Sequence, residues 1–232
     1  MKASVKCALA IVAAVASSQV ISMANGTSAP PPPSMGSTPV RPLTPEERAN
    51  EVYNSGIEHR DRGNKHEKEA VNAKKPEDRT KSEAKSRGEY EKALKDFEKA
   101  TNFSSAHFAA YNGMGYSYRK LGDYQKALEM YDKALQLAPG FSDAVEYRGE
   151  AYLGLSRIDD AKQAYLELIG LNRKNADLLM TAMRAWVAAR RAEPAGVDAA
   201  TLDAFESWIK ERAGLAQQTA SMSLASSHRG SW

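Results

Sequence analysis

FAAYNGMGYSYRKLGDYQKALEMYDKALQLAPGF, residues 108–141, sets the architecture of this chain. Tyr111, Met114, Gly115 and Tyr118 fall at i, i+3, i+4 and i+7, one face of a helix. Leu121-Gly122-Asp123 interrupts the pattern, and glycine tolerates the left-handed backbone that ends a helix. A second periodic run follows through Tyr124, Ala127, Leu128, Tyr131, Ala134 and Leu135, and Pro139-Gly140 closes it. Two short amphipathic helices joined by a tight turn predict an antiparallel hairpin. Gly115 and Ala127 are expected where the two helices cross, and Ala134 where the next hairpin docks. Tyr111, Tyr118 and Tyr131 would fill the spaces between.

The next block repeats the pattern. At a shift of 34 residues, Val145 falls under Tyr111, Gly149 under Gly115, Tyr152 under Tyr118, Ala161 under Ala127 and Tyr165 under Tyr131. A fixed period with small and aromatic residues in phase is the signature of stacked helical hairpins. On these residues the block 108–141 resembles the tetratricopeptide repeat (TPR), with its succession of aromatic, Leu-like, Gly, Tyr, Ala, aromatic, Ala and Pro. The block 142–175 is similar but departs in three places. Arg148 replaces the Leu-like residue, Leu168 the last small residue and Arg173 the proline, which predicts less regular packing toward the C-terminus. The resemblance implies an all-α fold, a helical-hairpin solenoid wound as a right-handed superhelix.

Working outward, Thr44-Pro45-Glu46-Glu47 reads as a helix start, with a Thr N-cap, Pro in the first turn and acids at the positive end of the dipole. Val52, Ser55, Gly56 and His59 then repeat the spacing of Tyr111, Met114, Gly115 and Tyr118. The matching second helix comes late: Gly88, Tyr90, Ala93, Phe97 and Ala100 correspond to Gly122, Tyr124, Ala127, Tyr131 and Ala134. Gly56 and Ala93 are 37 residues apart where Gly115 and Ala127 are 12 apart, so this first repeat, 44–107, carries an insertion of 25 residues at roughly 62–87. The insertion is rich in Lys, Glu, Arg and Ala, a helix-forming composition, with Pro76 as its one break. It predicts an extended charged helical hairpin, a solvated arm beyond the array. After the third repeat, Asn175-Ala176-Asp177-Leu178 marks another helix start, and Ala199–Ala213 a last helix with Leu202, Phe205 and Ile209 on one stripe. Residues 176–213 are expected to form a capping hairpin over the open end of the array. The TPR region thus spans 44–213, and the small, polar residues 214–232 are expected to be a disordered tail.

The N-terminus has a different character. Lys2 and Lys6 precede an apolar run from Cys7 to Ala16, and Ser22-Met23-Ala24 follows, the layout of a secretory signal peptide over 1–24. The apolar run is shorter than the roughly 20 residues of a membrane-spanning helix. Removal of the segment would leave no cysteine, since Cys7 is the sole one, and no integral membrane span. Residues 25–43, with four consecutive prolines from Pro30 to Pro33, read as a disordered linker in extended polyproline conformation. Charged residues make up 26% of the chain but the net charge is only +3, so nothing here argues for a nucleic-acid surface.

No catalytic pattern is present: there is no phosphate-cradling Gly loop and no Gly-x-Ser-x-Gly elbow. His59 and His66 share a helix face two turns apart, too far to ligate one metal without a third element. Neither a metal nor a cofactor is expected. The resemblance implies instead that first helices line a concave surface for a partner segment. Its inward positions fall on Asn50, Tyr53, Asn54 and Ile57, then Ala109, Asn112, Gly113 and Tyr116, then Asp143, Glu146, Tyr147 and Glu150. Asn can bond both donors and acceptors of an extended backbone, and Tyr offers contact area at low entropy cost. The family's clamp for a C-terminal carboxylate needs Lys and Asn in set places; Glu146, Tyr147 and Glu150 occupy its cationic end, so that clamp is absent. An acidic third repeat would favour Lys or Arg on the ligand. Together these point to a non-enzymatic, exported adaptor of the cell envelope, expected in a bacterial periplasm. The alternative is a self-assembling envelope scaffold.

Overall fold

The computed structural model describes residues 41–227, and the side chains of 41–215 and 218 within them. The signal peptide expected at 1–24 and the linker to residue 40 lie outside the described residues. From Pro42 onward the chain is one compact unit. Among the described residues it is all helical: α1 (Pro45–Asn72), α2 (Pro76–Phe103), α3 (Phe108–Leu121), α4 (Tyr124–Leu137), α5 (Ser142–Gly154), α6 (Ile158–Leu171), α7 (Arg173–Ala192) and α8 (Ala199–Ser227). No strand is present among them. No helix among the described residues is long and apolar enough to cross a membrane.

The first helix begins as its sequence dictates. The Glu47 amide donates to Thr44 Oγ1 at 3.2 Å, and Glu47 Oε2 accepts from the Thr44 amide at 2.7 Å, a reciprocal cap. Along α1 the buried residues are Ala49, Gly56, Gly63 and Ala70, one every seven. Facing them on α2 are Ser86, Tyr90, Ala93, Phe97 and Ala100, spaced by alternate fours and threes. A seven-residue step on both helices is the seam of an antiparallel coiled coil. A Cβ on Gly56 would lie 2.6 Å from the Phe97 ring, and one on Gly63 would lie 2.6 Å from the Tyr90 ring. Each aromatic ring therefore rests directly on helix backbone.

Gly115 makes the same contact in the next hairpin, its virtual Cβ 2.5 Å from the Tyr131 ring. The spacing argument pairs Gly115 with Ala127, but the nearest atoms are those of Tyr131, which is fully buried. Phe97 is pressed from its other side by Gly113, whose Cβ would come within 2.7 Å. The first hairpin is thereby locked to the second. At the α3–α4 turn Gly122 adopts φ +88°, while in the third repeat Ser156, 34 residues on, is held at φ +57°.

The arm is the two-fold lengthening of this hairpin: α1 and α2 have 28 residues each, α3 and α4 have 14. At 1.5 Å per residue the extra helix amounts to about 20 Å. Its foot is tied to α3, where Tyr116 OH donates to Asn64 Oδ1 at 2.7 Å and Lys120 Nζ donates to Glu67 Oε2 at 2.7 Å. Along it, Glu89 takes bonds from Lys92 at 2.6 Å, His59 Nδ1 at 2.7 Å and Arg62 Nε at 3.0 Å. Burial works against the charge of Glu89, yet these three partners hold its carboxyl down at about 2.

The end of the array departs from expectation in two ways. The last hairpin opens at Arg173 rather than Asn175, because Asn172 caps the helix by accepting from the Lys174 amide at 3.1 Å. Asn175 is instead buried, its Nδ2 donating to Asp143 Oδ1 at 2.7 Å. The last helix, with Leu202, Phe205 and Ile209 buried as its stripe predicts, does not stop at 213 but runs to Ser227. Residues 214–227 contain no proline and are mostly Ser, Ala, Leu and Gln, so nothing halts propagation. Phe205 and Ile209 join Tyr165, Leu168, Leu179 and Met183 in the terminal core.

Candidate functional site

The inward residues of α1, α3 and α5 separate into two groups. Near the start of the first repeat, the Tyr53 ring lies 4.9 Å from the His107 ring and 5.6 Å from Phe97. His107 caps α3 by accepting from the Ala110 amide at Nδ1, 3.1 Å. Burial pushes its pKa down, so the neutral ring carries its proton on Nε2 and donates to Asn50 Oδ1 at 3.0 Å. Asn50 and Asn54 are exposed.

The second group gathers round Arg119. Tyr116 and Tyr147 meet edge to face, their centroids 5.2 Å apart. The Arg119 guanidinium lies 5.1 Å from the centroid of the first ring and 5.4 Å from that of the second. Arg119 also pairs with Glu150, and its side chain is only 10% exposed. Burial disfavours the guanidinium charge, but Glu150 outweighs it and the group stays firmly protonated. Arg60 and Lys120 complete the cationic rim of Tyr116, each 5.8 Å from its centroid. Of the positions taken from the sequence, Tyr116, Glu146, Tyr147 and Glu150 thus come together. Asn112 is half-buried, with an Oδ1 that has no hydrogen-bond partner.

Glu146 requires a correction. It is 3% exposed, not a surface acid. Burial, then its hydrogen bond and repulsion with Glu150, push its carboxyl up to about 9. At neutral pH it is protonated and donates a hydrogen bond to Glu150. Asp143 is engaged by Asn175, and Glu150 by Arg119. Of the three acids expected to select a basic ligand, Glu146 is thus buried and Glu150 is paired with Arg119, while Asp143 stays exposed beside Asn175. A raised carboxyl in a cleft can mark proton-transfer chemistry; here burial and a like-charged neighbour account for it without any accessible reacting atom. Among the described residues no group of three or more His, Cys, Asp or Glu is placed to hold a metal.

The pattern reading stopped one turn short. Arg119 and Lys120 stand three and four residues beyond Tyr116, on the same face, and Asn64 stands four beyond Arg60. At that further turn a polar cleft of about 300 Å³ opens between the last turns of α3 and α5 and the second half of α7. Arg119, Lys120, Glu150, Trp186 and Arg190 line it, with Glu67 of α1 at its edge.

A tetratricopeptide repeat family model matches residues 108–141, and a second one matches 148–175. No curated protein matches the chain. Among solved structures, the chain is similar to the second TPR domain of human RPAP3 in complex with the HSP70 peptide SGPTIEEVD, with 23% identity, 56% of this chain and 95% of that one covered, and a TM-score of 0.40. It is also similar to the Arabidopsis OM64 TPR domain, with 17% identity, 58% and 98% covered, and a TM-score of 0.41. For MamA the values are 20% identity, 56% and 87% covered, and a TM-score of 0.35. The stretches 108–141 and 148–175 are thus tetratricopeptide repeats within an all-helical array of hairpins.

Proposed function

We propose that the chain is a non-enzymatic binding protein that seats an extended segment of a partner protein along the inward face of α1, α3 and α5. Tetratricopeptide repeats are typically interaction modules. The observation that carries the reading is the Tyr116–Tyr147 pair held rigid by Arg119. Two amphipathic rings already fixed in place offer contact area without further loss of side-chain freedom on binding. A photocrosslinking residue at Asn54, inward and exposed, should capture a partner from envelope extract. The same residue at Gln136 of α4 should not. Equal capture at both sites would sink the groove reading.

Export is part of the proposal. Lys2, Lys6 and the apolar run from Cys7 to Ala16 support it, and periplasmic protein should begin at Asn25 when its N-terminus is sequenced. Protein retained in the cytoplasm with Met1 intact would contradict it. A second reading, an envelope scaffold that assembles with itself, draws on Leu166 and Ile169. They stand three residues apart on α6 and each is 42% exposed. Sedimentation that shifts with concentration, and ceases to in Leu166→Glu/Ile169→Glu, would favour that reading.

A further inference from the structure

The cleft between α3, α5 and α7 is a separate feature from the tyrosine pair. Among the described residues seven buried side-chain N or O atoms have no hydrogen-bond partner, and two of them, the donors Trp186 Nε1 and Arg190 Nε, belong to residues that line this cleft. A third lining residue, Arg119, has the Tyr131 hydroxyl beside its guanidinium. A buried donor left unmade is costly, so the two orphaned donors at one cleft favour an acceptor supplied from outside.

Charge says which acceptor. Arg119 is paired with Glu150 and Lys120 with Glu67. Arg190 makes no ion pair among the described residues; its guanidinium sits 5.6 Å from the Trp186 ring centroid instead. Three cations thus face two carboxylates, and one more carboxylate would balance them. The cleft's volume suits a side chain rather than a folded surface. It is also continuous with the groove, since Arg119 touches both tyrosines and lines the cleft. We propose that this cleft receives an Asp or Glu side chain of the partner segment that lies across Tyr116 and Tyr147, with Arg190 as its counter-ion and Trp186 Nε1–H as a second donor. The proposal rests on the groove reading and reverses the expectation of a basic ligand. The site extends the groove beyond its inward positions: Glu150 lines both, and the two free donors come from the capping hairpin.

The test is an NMR titration of the full chain with the capped tripeptide acetyl-Ala-Glu-Ala-amide. Acetyl-Ala-Gln-Ala-amide and inorganic phosphate are run in parallel. The Glu peptide should shift the Trp186 indole and Arg190 Nε–H resonances saturably, and the Gln peptide should not. Arg190→Gln should weaken the response about tenfold or more, and Arg190→Lys, which keeps the charge, should weaken it less. Loss of fold is checked by the unchanged dispersion of the remaining resonances. An equal response to the Gln peptide, or none to the Glu peptide, overturns the proposal. So does phosphate matching the Glu peptide, which would make the cleft a site for any small anion. The two levels separate when partner capture is measured for Tyr116→Ala/Tyr147→Ala and, independently, for Arg190→Gln: each should lose it. Capture that survives the tyrosine changes refutes the groove; capture lost there but unaffected by Arg190→Gln refutes only the cleft.

Discussion

The hairpin α1–α2 and the hairpin α3–α4 solve one packing problem at two lengths. In both, an aromatic ring lies on a glycine: Phe97 on Gly56, and Tyr131 on Gly115. The longer hairpin then does it again one heptad further out, with Tyr90 on Gly63. The insertion is therefore not a loose loop made helical by composition. It keeps the seven-residue step of small residues on α1, so the added turns prolong an existing seam. A repeat can be lengthened by whole heptads without disturbing its neighbours, because the ring-on-backbone contact recurs in phase.

Glycine substitutions test this most strongly. Gly115→Ala drives a methyl into Tyr131, which is enclosed on all sides, and should cost about 2 kcal/mol in denaturant unfolding. Gly63→Ala meets Tyr90 at the foot of the arm and should cost about 1 kcal/mol. Gly88, also in the arm, has nothing within 4 Å of its virtual Cβ. Gly88→Ala should accordingly stabilise by about 1 kcal/mol through helix propensity. If Gly63→Ala stabilises as well, the arm has no continuous seam. A slightly smaller effect is expected from Tyr90→Phe. It removes the hydroxyl that sits 2.7 Å from Asn64 Oδ1 and 3.0 Å from Glu67 Oε2, and should cost about 1 kcal/mol or less by the same melts.

The turn of the third repeat extends the comparison. Ser156 holds the left-handed backbone that Gly122 adopts in the second repeat. Ser156→Gly should raise stability by about 0.5–1 kcal/mol, the relief of strain less the added freedom of the unfolded chain.

The two regions should also respond to pH in opposite senses. Glu89 in the first hairpin has a folded pKa of about 2, below its unfolded value, so its contribution is present near neutrality and lost as pH falls toward 2. Glu146 has a folded pKa of about 9, above its unfolded value, so its contribution is complete at mild acid and lost as pH rises toward 9. Thermal melts of Glu146→Gln should lose the alkaline decline and keep the acid one, and Glu89→Gln should do the reverse. Parallel pH profiles for both variants and the parent would contradict these assignments.

The hairpins at 108–175 were legible because short helices keep their apolar phase from one repeat to the next. The Gly56–Phe97 correspondence was legible for the same reason, across a 25-residue insertion. Burial depth was not. Asp143, Glu146 and Glu150 share a helix face, and spacing alone makes all three look like surface acids. Glu146 proves buried, and Glu150 is paired with Arg119, which comes from another helix 31 residues away. Gly63 was hidden by a composition that reads as solvated helix, since one small residue among many charges leaves the apolar pattern faint. Residues 214–227 were misjudged because Ala, Ser and Gln suit both a helix and a tail.

The most direct test of the central claim is capture from envelope extract by residues 25–232 beside the same chain with Tyr116→Ala/Tyr147→Ala, matched for helicity. A partner held by the first and lost by the second is the predicted result. Equal retention by both would contradict the groove as the binding surface.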